Sequence, residues 1–316
     1  MTTPITIGVS ACLLGEKVRY DGGHKHDRYV SDTLGQFFSF LAVCPEVGCG
    51  MSIPREAMRL EGDPANPRLM TRTSRIDKTE QMREFCQQKV RELEQADLRG
   101  FIFKKDSPSS GLLRVKIYGP EGMPKKIGRG FFAEAFVQHF PILPVEEAER
   151  LNDAAIRENF IERVFSYHRW KNFLDEHPDL GGLVEFHSRH KLLMMAHSPQ
   201  IYREIGVLVA HGKELKQAQL FRRYEELLMK GLALQATTKK NTNVLMHIMG
   251  YFKKELDHSE KEELLETINR YHNHLVPLVV PLTLLKHYVT KYDQSYLKQQ
   301  VYLSPHPAEL MLRNHV

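Results

Sequence analysis

Apolar positions change period near the middle of the chain. Up to about residue 145 they come in short runs bounded by turn residues. Residues 5–10 read as a buried strand, 34–44 as a helix running into a second strand, and 100–104 as another short buried strand. Between them, residues 78–96 space their apolar side chains three and four apart, with charge on the other side, which predicts an amphipathic helix. Strands alternating with helices predict a parallel α/β sheet of Rossmann-like type. In such sheets ligands collect at the carboxyl ends of the strands, where the loops carrying Cys12, Cys44 and Ser107 fall.

After a turn at residues 141–147 the strand signals nearly vanish, and the chain reads as helical from Val145 onward. Amphipathic runs follow at 146–174, 183–196, 198–209, 213–233, 243–256, 259–274 and 281–300. Breaks at His177-Pro178, Gly181-Gly182, Ser198-Pro199 and Pro277 separate them. Two domains are therefore expected, 1–150 and 151–316, the second all-helical. A length of 316 residues suits two separate cores.

Composition narrows the class. An apolar fraction of 42% with 26% charged residues is that of an ordinary globular protein. The chain starts without a basic segment and long apolar run, and its longest apolar stretch, 275–285, carries two prolines and is too short to span a bilayer. No membrane association and a cytoplasmic location are expected. Four cysteines in such a chain are not a disulfide scaffold.

The net charge of +5 is unevenly spread. Residues 186–254 hold twelve Lys/Arg against four Asp/Glu, while 255–266 hold six acids and one Lys. A basic helical stretch of this kind can face phosphates, and it can equally be a solvated face balanced by its acidic neighbour. Thirteen of sixteen histidines follow Leu151 without metal-ligand spacing, and most are expected at the surface or at interfaces.

Three of the four cysteines sit where a strand hands over to a loop: Cys12, Cys44, and Cys49 five residues on. Thiolates at separated strand ends can converge on one soft metal centre, and three of them would leave a metal position free for chemistry. In Cys44-Pro45-Glu46 the proline stiffens the backbone between a thiol and a carboxylate, so both can point into one pocket. Cys86, inside a helical run, reads as a packing residue. The loop Ser107-Pro108-Ser109-Ser110-Gly111 is a hydroxyl-rich turn that could position water or a substrate oxygen. The charged segment 19–28 and Pro54-Arg55-Glu56 suit phosphate or base contacts, as do many surface loops.

Taken in order, SACLLG…VRYDGGHK, CPEVGCG…PRE and FKKDSPSSG…RVKIYG resemble the thiouracil desulfidase domain over roughly residues 4–150. The second half, with GYFKKEL and YLSPHPAELMLRNHV, resembles the YbgA-like helical domain often fused to it. Chains with both halves resemble bacterial tRNA 4-thiouridine desulfidases. The resemblance implies a four-iron, four-sulfur (4Fe-4S) cluster on three cysteines, an open iron that captures the thiocarbonyl sulfur, and hydrolytic release of sulfide to leave uridine.

Residue by residue, Cys12 and Cys44 match two of the implied ligands. The third family cysteine falls at Ser110, and Cys49 is the thiolate that could compensate; the ligand set read from the sequence is Cys12, Cys44 and Cys49. The resemblance gives Glu46 an acid/base role and Ser107 that of proton relay or orienter. The implied partner is tRNA carrying thiolated uridine, a polyanion, with Lys25, Arg28, Lys104 and Ser110 as first-domain contacts. Arg222, Arg223, Lys253 and Lys254, with Tyr251 and Phe252 nearby, are the candidates in the second. Desulfidation of free thiolated bases is the enzymatic alternative. An iron–sulfur RNA-binding or redox-sensing module is the non-enzymatic one.

Overall fold

The computed structural model describes residues 5–119, 123–176 and 178–314. His177 of the expected His177-Pro178 break, and His315 and Val316 of the C-terminal motif, lie outside the described residues. The chain divides into two compact units, Met1–Asn152 and Asp153–Val316. The sequence had placed the boundary at 150/151.

The first unit runs Ile5–Ser10 (β1), Phe38–Val43 (β2), Pro45–Gly48 (α1), Met58–Glu61 (β3), Arg68–Thr71 (β4), Thr79–Leu93 (α2), Gly100–Phe103 (β5), Val115–Tyr118 (β6), Pro124–Gly128 (β7), Phe131–His139 (α3) and Val145–Glu147 (β8). One sheet has the order β2-β1-β5-β8, all parallel. Its inner strands are buried along nearly their whole length, as a sheet covered on both faces requires. Phe101 and Phe103 on β5 meet Phe132 and Phe136 of α3 at ring separations of 4.8–6.2 Å. Gly8 is part of that packing: a Cβ there would stand 2.2 Å from the Phe101 ring, so only glycine lets β1 and the ring coexist.

Because the four strands run the same way, the chain leaves β1, β2 and β5 at one edge. Order reverses at β1, which feeds β2 on one side and has β5 on the other, the arrangement that opens a crevice in α/β sheets. Ser10 Oγ, at the end of β1, accepts from the Lys104 amide just past β5 and ties those two ends together (3.0 Å).

Two features depart from the sequence reading. Residues 145–147 form strand β8, not the start of a helix; β8 pairs with β5, and burial of Glu146 and Glu147 at the sheet edge overrides their helical preference. A second sheet, β4-β3-β6-β7, has no counterpart in the periodicity reading. Its strands hold four or five residues each, too few to announce a period.

The second unit is helical: Ala154–Glu176 (α4), Leu180–His197 (α5), Pro199–Ala210 (α6), Gln217–Leu232 (α7), Thr238–Met249 (α8), His258–His272 (α9), Val279–Lys291 (α10) and Ser295–Lys298 (α11). Asp179, Ser198, Thr237 and Asp257 each accept a first-turn amide, and Asp257 with Glu260 completes a capping box. Gly181-Gly182 is not a break: it lies in the first turn of α5, where the Gly182 amide donates to Asp179 (2.7 Å). The core centres on Trp170, stacked on Tyr224 at 5.0 Å and flanked by Phe173 and Phe186. His187, His190 and His197 are buried here, while six of the described histidines after Leu151 are exposed, in line with the expectation that most lie at the surface.

Arg313 is buried near the C-terminus, with Nη2 on Glu162 Oε1 (2.8 Å), Nη1 on the Tyr302 carbonyl (2.6 Å) and Nε 3.3 Å from Glu158. Burial and the Glu162 charge raise the Glu158 carboxyl, while His197 and Arg313 hold Glu162 low in spite of its burial. Among the described residues no helix is long and apolar enough to cross a membrane.

Candidate active site

Cys12 lies in the turn that follows β1, where Gly15 takes a left-handed φ of +90° and returns its amide to the Cys12 carbonyl. The same carbonyl accepts from the Lys25 amide at 2.9 Å, and Leu13 accepts from Asp27, so the charged segment is fastened over this turn. Cys44 caps α1, with Pro45 at the first helical position. One residue on, Glu46 points back. Its Oε2 accepts from Cys44 Sγ at 3.5 Å and lies 3.9 Å from Arg55 Nη2. Its Oε1 accepts from Ser109 Oγ at 2.5 Å.

The hydroxyl loop after β5 is shaped by its own backbone. Ser107 Oγ accepts from the amides of Ser109 (3.3 Å) and Ser110 (3.1 Å), closing a hydroxyl turn. The first-turn amides of α3, which have no partner inside the helix, donate to the carbonyls of Pro108 (3.2 Å) and Ser109 (2.8 Å). Gly130, whose added Cβ would fall 2.4–2.8 Å from Ser109 and Ser110 backbone atoms, permits this close seat. Ser109 Oγ also lies 3.0 Å from Ser107 Oγ. Since Ser109 gives its hydrogen to Glu46, it accepts at the other contact, and a hydroxyl relay runs Ser107→Ser109→Glu46.

These loops enclose a cavity of about 360 Å³ lined by Cys12, Cys44, Glu46, Arg55, Ser107 and Ser110. Its wall and rim carry six Lys or Arg against three Asp or Glu, among them Lys25 and Lys104. Lys104 pairs with Glu149 at 2.7 Å. Burial pushes the Cys12 thiol up to about 11, with Lys104 opposing, and the Cys44 thiol up to about 12, with Glu46 adding to the rise. Both thiols therefore hold their protons at neutral pH until a cation displaces them.

Here the structure departs from the expected ligand set. Cys49 is not among the residues lining this cavity. Cys44 and Cys49 flank a helical turn, and five residues at 100° each put them about 140° apart around its axis. Cys49 Sγ donates to the Glu46 carbonyl (3.3 Å), and its own carbonyl accepts from Gln81 of α2. Ser110, buried, lines the cavity in the same company as Cys12 and Cys44. Sequence reasoning passed over Ser109 and gave Arg55 little weight. Ser109 is buried and Arg55 half-buried beside Glu46, and a hydroxyl in a turn or a basic residue in a loop carries no mark of that.

Of the other candidates, Arg28 is exposed and not part of the cavity lining. Arg222, Arg223, Lys253 and Lys254 are exposed on the helical unit, Arg222 pairing with Glu226 one turn on. Phe252 is a core residue, while exposed Tyr251 stacks on Tyr296 at 5.4 Å. In the same unit Glu158, Glu162 and His306 bring potential metal-ligand atoms within 4.8 Å. Arg313 already pairs with both carboxylates, so the group is an internal ion-pair network.

Comparison with known proteins defines the class. Residues 7–148 match the family model described as 2-thiouracil desulfurase, and residues 191–307 match that of a protein of unknown function, DUF1722. A desulfurase-type α/β domain is thus joined to a helical domain of the second kind. The uncharacterized protein YbgA of Escherichia coli (strain K12) is 32% identical over 153 residues, covering 48% of this chain and 90% of that protein. The chain belongs to the YbgA family. Among solved structures, the [4Fe-4S]-dependent thiouracil desulfidase TudS is 30% identical, covering 49% of this chain and 97% of its own, with a TM-score of 0.40.

Proposed function

We propose that this protein is an iron–sulfur-dependent desulfidase that hydrolyses the thiocarbonyl of 4-thiouridine in tRNA, giving uridine and sulfide. The observation that carries the reading is the set of groups around Glu46: a carboxylate between a thiol and a guanidinium, fed by a hydroxyl relay, in a cavity with two thiols.

The donors fit a cluster held at three points. Cys12 and Cys44 would supply two thiolates, and Ser110, in place of Cys49, a hydroxyl oxygen. When bound, a 4Fe-4S cluster supplies Lewis acidity toward a thiocarbonyl sulfur and a site for the departing sulfide. The chain's own groups do the rest. Glu46 takes a proton from the attacking water and gives it to the departing sulfide, and the hydroxyls of Ser109 and Ser107 keep its carboxylate aimed. Oxygen replaces sulfur at the ring carbon with no net oxidation or reduction. The raised thiols of Cys12 and Cys44 release protons as metal enters.

The excess of cations at the cavity mouth supports an RNA substrate over a free base, since phosphates flank a nucleotide and not a nucleobase. A thiouridine within a folded tRNA must be turned out of its stack to enter so small a cavity. Lys25 and Lys104 would meet the flanking phosphates. Arg28, Arg222, Arg223, Lys253 and Lys254 would add longer-range attraction.

The test is anaerobic sulfide release from thiolated tRNA and, separately, from free 4-thiouracil. Efficient release from tRNA that weakens steeply with salt supports the proposal. Release from the free base alone assigns the smaller substrate. Iron-loaded protein that releases sulfide from neither refutes the enzymatic reading.

A further inference from the structure

Arg55 is the one cavity-lining side chain with an unpaired, buried donor. Its side chain is 9% exposed. Nη2 donates to the Val18 carbonyl at 3.0 Å and Nη1 to the Ser52 carbonyl at 3.4 Å, while Nε has no partner. Glu46, at 3.9 Å, is within electrostatic reach but beyond hydrogen-bond distance. A buried guanidinium with an unsatisfied N–H is unfavourable, and a ligand oxygen that binds the guanidinium can offset part of that penalty.

The order of groups along this wall indicates the ligand. Glu46 has the Cys44 thiol on one side, 3.5 Å away, and the Arg55 guanidinium on the other. Read across, the wall offers a cation with free donors, then an acceptor, then sulfur. A thiolated pyrimidine presents along one edge a carbonyl oxygen, a ring N–H and a thiocarbonyl. The two sequences are complementary group for group.

We propose that Arg55 is the specificity-determining residue of this site: its guanidinium binds the ring carbonyl oxygen beside the N–H that Glu46 accepts, which delivers the thiocarbonyl to the Cys12–Cys44 end of the cavity. The inference rests on the desulfidase reading. It deepens that reading by naming the recognised edge as the oxo–imino–thio edge of a uracil-type base. A thiolated ring without the neighbouring carbonyl leaves the guanidinium as it is now, and the site rejects it. Charged donors sort such pairs by about 10- to 100-fold.

The experiment compares 4-thiouracil with pyrimidine-4-thione, which keeps the ring N–H and thiocarbonyl but lacks the carbonyl. Wild type, Arg55→Gln and Arg55→Lys are assayed for anaerobic sulfide release. Wild type should favour 4-thiouracil by about 10- to 100-fold in kcat/KM. Arg55→Gln should lose that factor on 4-thiouracil, mostly in KM, and change little on the thione. Arg55→Lys retains the charge but not the planar fork, so discrimination should fall while overall activity on the thione persists. Equal losses on both substrates overturn the proposal, because a purely structural arginine would give that pattern.

Calorimetric binding of the oxygen analogues uracil and pyrimidin-4-one is independent of turnover. Uracil affinity falling about 10-fold or more in Arg55→Gln, with pyrimidin-4-one unaffected, supports Arg55 even if wild type releases no sulfide. That last result, joined to no release from thiolated tRNA, would sink the desulfidase reading alone. Equal binding of the two analogues to wild type overturns the role of Arg55.

Discussion

Removing one hydroxyl, in Ser109→Ala, tests whether Glu46 is held in place by the loop after β5. Ser109 is fully buried and donates to Glu46 Oε1 at 2.5 Å, the short length characteristic of a hydroxyl on a carboxylate. A hydrogen bond to a charged group contributes about 1.5–3 kcal/mol. The Ser107 hydroxyl, 3.0 Å away, loses a partner too, a further ~0.5–1.5 kcal/mol. Glu46 retains some contact with solvent (13% side-chain exposure), so partial rehydration argues for the low end, about 2 kcal/mol. With a urea slope of about 2 kcal/mol per molar, the unfolding midpoint of the first unit should drop by about 1 M. The assay has a built-in control. The single tryptophan, Trp170, lies in the second unit, so its fluorescence reports that unit alone while circular dichroism follows both. The dichroic transition of the first unit should move and the fluorescence midpoint should not. The rate of sulfide release should drop about 10- to 100-fold as the carboxylate loses its aim. An unmoved dichroic transition with activity intact would refute the reasoning.

If Ser110 holds the third position, Ser110→Cys should retain more iron per chain than wild type after chelator challenge, and Cys49→Ser should retain as much as wild type. Iron and acid-labile sulfide assays decide it, and iron loss in Cys49→Ser restores that residue as the ligand. The thiols of Cys12, Cys44 and Cys86 stand at about 11, 12 and 12 in the folded chain against 9.0 for an ordinary thiol, burial being the largest cause. Folded values above unfolded ones mean stability that is full below pH 9 and lost as pH rises toward 11–12. Metal-free protein should therefore show urea midpoints of its first unit falling above pH 9, and constant midpoints to pH 11 would contradict the burial. In the helical unit, Arg313→Ala leaves the Glu158–Glu162 pair buried without its cation, a loss of about 3–5 kcal/mol visible in the Trp170 midpoint. A midpoint shift under 1 kcal/mol would mean that water replaces the guanidinium.

The legible part of the fold was what periodicity can carry. The buried run of β1 and the amphipathic α2 stand in the structure where the apolar spacing put them. The parallel sheet followed from their alternation, and with it the meeting of Cys12, Cys44 and the Ser107 loop at one edge. The second sheet was illegible because four-residue strands leave no period, and β8 because Glu146 and Glu147 are buried by pairing with β5. Cys49 misled through spacing. Sequence separation gives a distance along the chain, but Pro45–Gly48 coils into a helical turn, and Cys49 is not among the residues lining the cavity. The weight of Arg55 was hidden for a related reason, since only the folded chain shows that its Nε has no partner.

The seating of the hydroxyl loop on α3 has one more consequence. The path of residues 107–111 is set by main-chain carbonyls under helix amides and by the bare Cα of Gly130, with the side chains of Ser107 and Ser109 adding support. The oxygen carried on Cβ at position 110 adds a single long contact, 3.4 Å to Ser109 Oγ. Evolution can therefore exchange oxygen for sulfur there and retune the hardness of the donor set while the scaffold stays as it is. Such a protein can drift between cofactor affinities one heteroatom at a time, without first having to solve folding again.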